Sequence, residues 1–231
     1  MQSRKNVVLG LDTSGSPLLV TAAKQTRTAV RRRSGIKQER LLFPVLESAL
    51  SAVGGTLQEV KKIIIVRGPG RFTGIRIALT FASMLKYLNQ AEVYGATVFE
   101  ILKYQVENSR DFKQWKANHP KGVLGVVLHA FRQEYFLQIF DEKKALPKWL
   151  SYQELQTCLA TYKAPLFLAG TAADKAPLQT ILKGPYTWAC MRDCVVRPDT
   201  LQTLCGNAAF ATDALEPLYL KPARFELVQP K

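Results

Sequence analysis

Ile63-Ile64-Ile65-Val66-Arg67-Gly68-Pro69-Gly70-Arg71-Phe72-Thr73-Gly74-Ile75-Arg76 is the stretch on which the fold turns. Four β-branched residues in succession suit a strand buried on both faces. Three glycines and a proline then allow a tight reversal before an apolar-periodic segment that reads as a helix. A turn of this kind sets backbone N–H groups at a helix N-terminus, where unpaired donors and the helix dipole favour an anion. A phosphate or carboxylate site is one reading of these glycines; close packing of strand against helix is the other. The local chemistry alone leaves both open.

Upstream, residues 7–12 form an apolar strand ending on Asp12, followed by Thr13-Ser14-Gly15-Ser16-Pro17. A carboxylate at a strand end beside a Ser/Gly turn suits phosphate or Mg²⁺-water binding, and an Asx-turn uses the same residues structurally. Residues 18–23 and 28–33 read as two further strands of a meander, the second an edge. A helix follows over about 38–53, stopped by Gly54-Gly55 and carrying Pro44 one turn inside.

On a helical wheel the apolar residues of that helix cover roughly 200°. The helix after the glycine turn, about 73–90, has two apolar flanks spanning about 220°. One holds Ile75, Ala78, Leu79, Ala82 and Leu85, the other Ile77, Phe81, Met84 and Leu88, with a polar stripe of Arg76, Thr80, Ser83, Tyr87 and Gln90. That is more apolar surface than one sheet covers, so a partner is expected on these two helices.

Downstream, residues 91–95 read as a strand and 97–107 as a helix. The polar segment 108–121, which contains His119, is the best candidate linker. Strands are then expected over 123–129, 134–141 and 148–150. Ser151 with Glu154 makes a capping box for a helix to about Tyr162. A strand over 165–169, a helix over 171–182 and a final helix over 198–215 complete the chain. The second half thus repeats the meander, helix, strand, helix order of the first.

Length and composition narrow the function. The 231 residues can bury a sizeable core, as one large domain or two of about 100 residues. No apolar run approaches the roughly 20 residues needed to cross a bilayer, and the polar start is not a signal segment, so a cytoplasmic protein away from membranes is expected. Cys158, Cys190, Cys194 and Cys205 do not make a disulfide scaffold, and Cys190 and Cys194 lack the spacing and the nearby His of a metal knuckle. Net charge is +14, with basic clusters at Arg27, Arg31, Arg32, Arg33 and Lys37 and at Lys221, Arg224 and Lys231. Such charge favours polyanions such as RNA and equally an acidic protein.

Known phosphate and catalytic motifs are missing. The chain has no Gly-Lys-Ser/Thr, no dinucleotide G-x-G-x-x-G after a first strand, no G-x-S-x-G elbow and no His-x-x-x-His pair. With His119 and His129 as its two histidines, it does not read as a self-sufficient protease or metalloenzyme.

Four segments, in order and at their spacing, resemble the TsaB (YeaZ) family: Leu11-Asp12-Thr13-Ser14, Gln38-Glu39-Arg40-Leu41-Leu42-Phe43-Pro44, Arg67 to Arg76, and the closing Leu218-Tyr219-Leu220-Lys221. The resemblance is strong over residues 7–104 and architectural beyond. It implies an α/β fold of two ribonuclease-H-like domains of the actin/Hsp70/sugar-kinase superfamily, mixed sheets flanked by helices. The domains would be 1–107 and 122–231, joined by the 108–121 linker, with the final helix packing back on the first domain. It implies a non-catalytic scaffold subunit for N6-threonylcarbamoyladenosine formation at adenosine 37 of tRNA. The partners implied are a TsaD-like catalytic paralogue, met through a four-helix bundle, a TsaE-like ATPase, a second copy of the chain in isolation, and tRNA reached through the complex.

Carried onto this chain, the seam becomes Leu41, Leu42, Val45, Leu46, Ala49, Ile77, Phe81 and Met84, although the wheel does not say which flank faces the sheet. An anion or nucleotide at the subunit boundary would meet Asp12, Arg67, Gly68, Gly70, Arg71, Thr73, Gly74 and Arg76, with ATP or ADP held there and no cofactor or metal of the chain's own. Arg71 departs from the family's usual Ser, which adds a positive charge to the turn. The rival readings are a kinase-like ATP-binding enzyme, a glycoprotease-like peptidase and a direct tRNA binder.

Overall fold

In the computed structural model the described residues are 6–35, 37–141, 146–171, 178–180, 182, 184–212 and 215–221. They divide into two compact units. Residues 1–98 with 197–218 make the first, and 99–196 with 219–231 the second.

The first unit is built on β1 (Val7–Asp12), β2 (Leu18–Lys24), β3 (Arg27–Arg33), β4 (Val60–Val66) and β5 (Glu92–Ala96), in spatial order β3-β2-β1-β4-β5. β1, β2 and β3 form an antiparallel meander, while β4 pairs parallel to β1 and β5 parallel to β4. Ile63, Ile64, Ile65 and Val66 are all fully buried, as a central strand requires. Their alternation serves two layers. Ile63 and Ile65 join Leu9, Leu11 and Val20 in the core beneath α1 (Gln38–Ala52) and α2 (Phe72–Asn89). The opposite face carries α6 (Pro198–Leu204), where Gln202 Nε2 donates to Thr21 Oγ1 at 2.6 Å and Leu201 lies against Gly10.

The second unit repeats this topology. β6 (Val123–Phe131), β7 (Glu134–Phe140) and β8 (Lys148–Ser151) form an antiparallel meander, with β9 (Leu166–Thr171) parallel to β6 and β10 (Thr187–Trp188) parallel to β9, in order β10-β9-β6-β7-β8. Its helices are α3 (Val98–Glu107), α4 (Arg110–Asn118) and α5 (Tyr152–Ala160). The capping box that opens α5 is present, with Glu154 N donating to Ser151 Oγ at 3.3 Å and Ser151 N to Glu154 Oε2 at 2.7 Å. Both sheets are mixed, as the sequence reading expects.

Three expectations need correction. The segment 108–121, read as a linker, contains α4, N-capped by Ser109, whose Oγ accepts from Phe112 N at 3.2 Å. Its apolar face consists of Phe112 and Trp115, which are buried and pack their rings against Phe167. His119 stacks on Trp115. The final helix stops at Leu204, because Cys205 turns extended and Gly206 takes φ +103°, and a 3₁₀ turn at Ala208–Phe210 follows. The first unit accordingly regains 197–218 from the end of the chain, so the boundaries fall near 98 and 197 and not at 107 and 122. Most of the helix expected over 171–182 lies outside the described residues.

Candidate interaction surface and glycine turn

The glycine turn leaves β4 with Arg67 N donating to Ala96 O at 2.9 Å, and Leu218 N donating to Arg67 O at 2.7 Å ties the late segment 215–218 to it. Gly68 adopts φ +116°, which favours glycine, and a Cβ there would stand 2.7 Å from Leu218 O. Two further glycines meet the β1–β2 turn directly. A Cβ on Gly70 would lie 2.2 Å from Ser14 O, and one on Gly74 1.9 Å from Thr13 O. Hydrogen bonds close the same contact: Arg71 N donates to Ser14 O at 2.7 Å, and Thr13 Oγ1 donates to Gly74 O at 2.6 Å.

The space left by the absent side chains is therefore filled by carbonyl oxygens of residues 13 and 14. Close approach of two backbone turns accounts for Gly70 and Gly74 without a bound group. Asp12 sits beneath, buried, with Oδ1 accepting from Ser14 N at 2.9 Å and from Ser14 Oγ at 2.6 Å. Of the residues read as an anion site, Asp12, Gly68 and Gly74 are buried, while Arg71, Thr73 and Arg76 are exposed. The Arg76 guanidinium lies 4.4 Å from the centroid of the Phe72 ring, so it is engaged on the helix surface.

Gln38, the first residue of α1, completes the clasp. Its Nε2 donates to Gly15 O at 2.6 Å, and its buried Oε1 has no hydrogen-bond partner. Gln38 is not among the candidate site residues that the sequence offers, although a polar side chain opening an otherwise apolar helix signals such a role.

Burial holds the Asp12 carboxyl above its ordinary range, outweighing the two Ser14 hydrogen bonds. Between the unfolded value and this raised one the folded chain binds more protons than the unfolded chain, so stability falls as pH rises through that window. Asp12→Asn keeps an acceptor for Ser14 and removes the ionisation. Urea unfolding from pH 4 to 8 should show the variant gaining stability relative to the parent as pH rises; parallel curves would contradict this.

The helix pair presents a different surface from the seam that the resemblance implies. Leu42, Val45, Leu46, Ala49 and Phe81 are buried within the first unit's own core, and Leu41, Ile77 and Met84 are half-buried at its edge. What faces outward on α2 is the stripe Phe72, Arg76, Thr80, Ser83 and Tyr87, with Leu88 beside it. On α1 it is Phe43, Pro44 and Glu47. Large apolar side chains punctuate this face: Phe43 is 50% exposed, Phe72 53%, Tyr87 80% and Leu88 65%. Phe43 meets Phe81 edge to face at a centroid distance of 6.1 Å, which joins the two helices into one surface.

Elsewhere the chemistry is muted. His119 Nδ1 lies 2.9 Å from Trp115 O and His129 Nε2 2.8 Å from Arg132 O, so each imidazole is engaged by a backbone carbonyl. Burial pushes the Cys190 and Cys194 thiols up and Cys205 to about 12, which makes them poor nucleophiles. Among the described residues no group of three His, Cys, Asp or Glu stands together as a metal site, and no helix is long and apolar enough to cross a membrane.

The family model described as TsaD, tRNA N6-adenosine threonylcarbamoyltransferase, matches residues 35–114, the segment that carries α1, the glycine turn and α2. The chain is 23% identical over 60% of its length to the tRNA threonylcarbamoyladenosine biosynthesis protein TsaB of Bacillus subtilis, covering 57% of that protein. It is 25% identical over 57% of its length to the TsaB of Buchnera aphidicola, covering 59% of it. The chain thus spans less than two thirds of the length of these curated relatives. The solved structure of YeaZ from Pseudomonas aeruginosa shares the fold, with a TM-score of 0.64 at 21% identity over 93% of this chain and 100% of that one. A second structure, of an uncharacterized protein with similarity to peptidase YeaZ from the same organism, gives 0.63 at 22% over 94% of this chain and 100% of that one. In sequence the chain is thus similar to TsaB proteins and, over residues 35–114, to the TsaD family model, and its fold is that of YeaZ.

Proposed function

We propose that the chain is the non-catalytic scaffold subunit of a tRNA threonylcarbamoyladenosine-forming assembly, and that it holds a TsaD-like catalytic subunit through α1 and α2. The observation that carries this reading is the row Phe43, Phe72, Tyr87 and Leu88 on one helix pair, four large apolar side chains each at least half exposed. The names of the curated relatives supply the pathway, and the engaged histidines and high thiol pKa values agree with a subunit that does no chemistry alone. A TsaE-like ATPase would join the assembly, ATP or ADP would be held where subunits meet, and tRNA would be reached through the complex in the cytoplasm. In isolation a second copy of the chain would take the catalytic subunit's place.

Co-expression with a TsaD-like subunit, followed by size-exclusion chromatography, tests the pairing. A stable heterodimer that displaces the homodimer is the expected result, and separate elution at micromolar concentrations would contradict it. The kinase-like alternative finds less support, because the glycines it would use are closed by the carbonyls of Thr13 and Ser14.

A further inference from the structure

Residues 24–40 contain seven Lys and Arg against one acid, Glu39. Their placement is specific. β3 is the edge of its sheet, with β2 on one side and, among the described residues, no strand on the other. It pairs with β2 in continuous register from Leu18↔Arg33 to Lys24↔Arg27. Ala29 is buried and Arg31 donates from Nε to Ser48 Oγ of α1 at 2.8 Å, so Arg27, Arg31 and Arg33 belong to the row facing α1. Arg32 belongs to the other row, and at an edge both rows reach past the strand. Lys37 and Arg40, both exposed, continue the strip through the first turn of α1.

Five cations among the described residues are ion-paired: Lys24 with Glu59, Lys62 with Glu92, Lys103 with Glu107, Arg197 with Asp199 and Lys221 with Glu134. Among the described residues, none of Arg27, Arg31, Arg32, Arg33, Lys37 and Arg40 has a carboxylate partner.

Protection of an exposed edge explains one or two charges on β3, for which lysine is the usual choice. It does not explain four arginines in seven residues, nor Lys37 and Arg40 at a helix start, where the dipole disfavours cations. Arginine's planar fork matches phosphate oxygens. The strand alone extends about 20 Å at 3.3–3.4 Å per residue, long enough to follow several phosphates. Residues 24–42 contain no aromatic side chain on which a base could stack, and Val30 is the one large apolar group exposed on β3. These features suit contact with the backbone of a helical RNA, without base reading, better than an acidic protein segment, which would need apolar pockets between its charges.

We propose that the β3 edge and the start of α1 form a docking strip for the phosphate backbone of a double-helical RNA region, such as a tRNA stem. The inference deepens the reading above, in which tRNA is the substrate of the assembly, and gives this chain a direct contact with it. Its failure is separable, because the strip is tested on the isolated full-length chain and scaffolding on the assembly.

Fluorescence anisotropy with labelled unmodified tRNA across 50–300 mM salt is the test. Arg32→Glu with Arg33→Glu should weaken binding at least tenfold at the lowest salt and lower the slope of log K against log salt by about two, near 0.9 per lost duplex phosphate contact. Arg32→Gln with Arg33→Gln should give a smaller loss in the same direction. The control, Arg110→Glu with Lys113→Glu, removes equal charge from exposed positions of α4 and should change affinity less than twofold. Equal losses from both charge-reversed pairs, or none from either, would overturn the proposal. So would a strip variant that retains tRNA and loses an acidic protein partner.

Discussion

Gly74→Ala should destabilise the chain by about 3 kcal/mol, the upper end of what forced overpacking in a well-packed region costs. The added Cβ would lie 1.9 Å from Thr13 O and 2.8 Å from Gln38 Oε1. The first neighbour is backbone, held by the hydrogen bonds of the β1–β2 turn, so the strain cannot be relieved by rotating a side chain. Relief requires α2 to move off the sheet, which would break the bond from Thr13 Oγ1 to Gly74 O and expose part of the core under Ile75 and Ala78. A fall of about 1 M in the urea midpoint is the expected readout. Gly15→Ala is the matched comparison, because nothing lies within 4 Å of its Cβ position; it should shift stability by less than about 0.5 kcal/mol. Equal effects of the two substitutions would show that close approach is not what the glycine turn requires.

Phe43→Asp combined with Tyr87→Asp should weaken pairing with a TsaD-like subunit by more than 100-fold. Central aromatic anchors at interfaces are worth 2 kcal/mol or more each, and about 1.4 kcal/mol is tenfold. Both side chains are at least half exposed, so fold stability should change little. Leu46→Asp supplies the contrast: it places a carboxylate among buried side chains and should unfold the first unit without informing on pairing. Binding by Phe43→Asp/Tyr87→Asp at parental affinity would move the interface off this face. The apolar row would then belong to some other contact.

Much of this was legible in the sequence because several local signals agreed. Ile63 to Val66 could hardly be anything but a central strand, and Ser151 with Glu154 marked the start of α5. The repeat of meander, helix and strand between the two halves predicted two sheets of equal topology, and β3-β2-β1-β4-β5 is matched by β8-β7-β6-β9-β10. α4 escaped because Phe112 and Trp115 are too few to impose a period on a polar segment. The end of α6 escaped because one left-handed glycine outweighs a favourable apolar pattern.

The helix pair shows a sharper limit. A wheel reports that α1 and α2 carry more apolar surface than one sheet covers, yet it cannot rank two flanks of similar hydropathy. The seam carried over from the resemblance includes Leu42, Val45, Leu46 and Ala49, which the first unit's own core buries. The outward face mixes Phe43, Phe72 and Tyr87 with Arg76, Thr80 and Ser83 and therefore looked polar. The glycine turn was ambiguous for a related reason: glycine admits either an anion or another backbone, and only the positions of Thr13 and Ser14 show which backbone comes close.

The central claim is that this chain makes a catalytic partner competent without doing the chemistry. Its most direct test is threonylcarbamoyl transfer to unmodified tRNA by a TsaD-like subunit and a TsaE-like ATPase, with the modified nucleoside quantified by mass spectrometry, in the presence and absence of this chain. Modification that depends on the chain and is abolished by Phe43→Asp/Tyr87→Asp is the expected result. Modification at full rate without the chain would contradict the account.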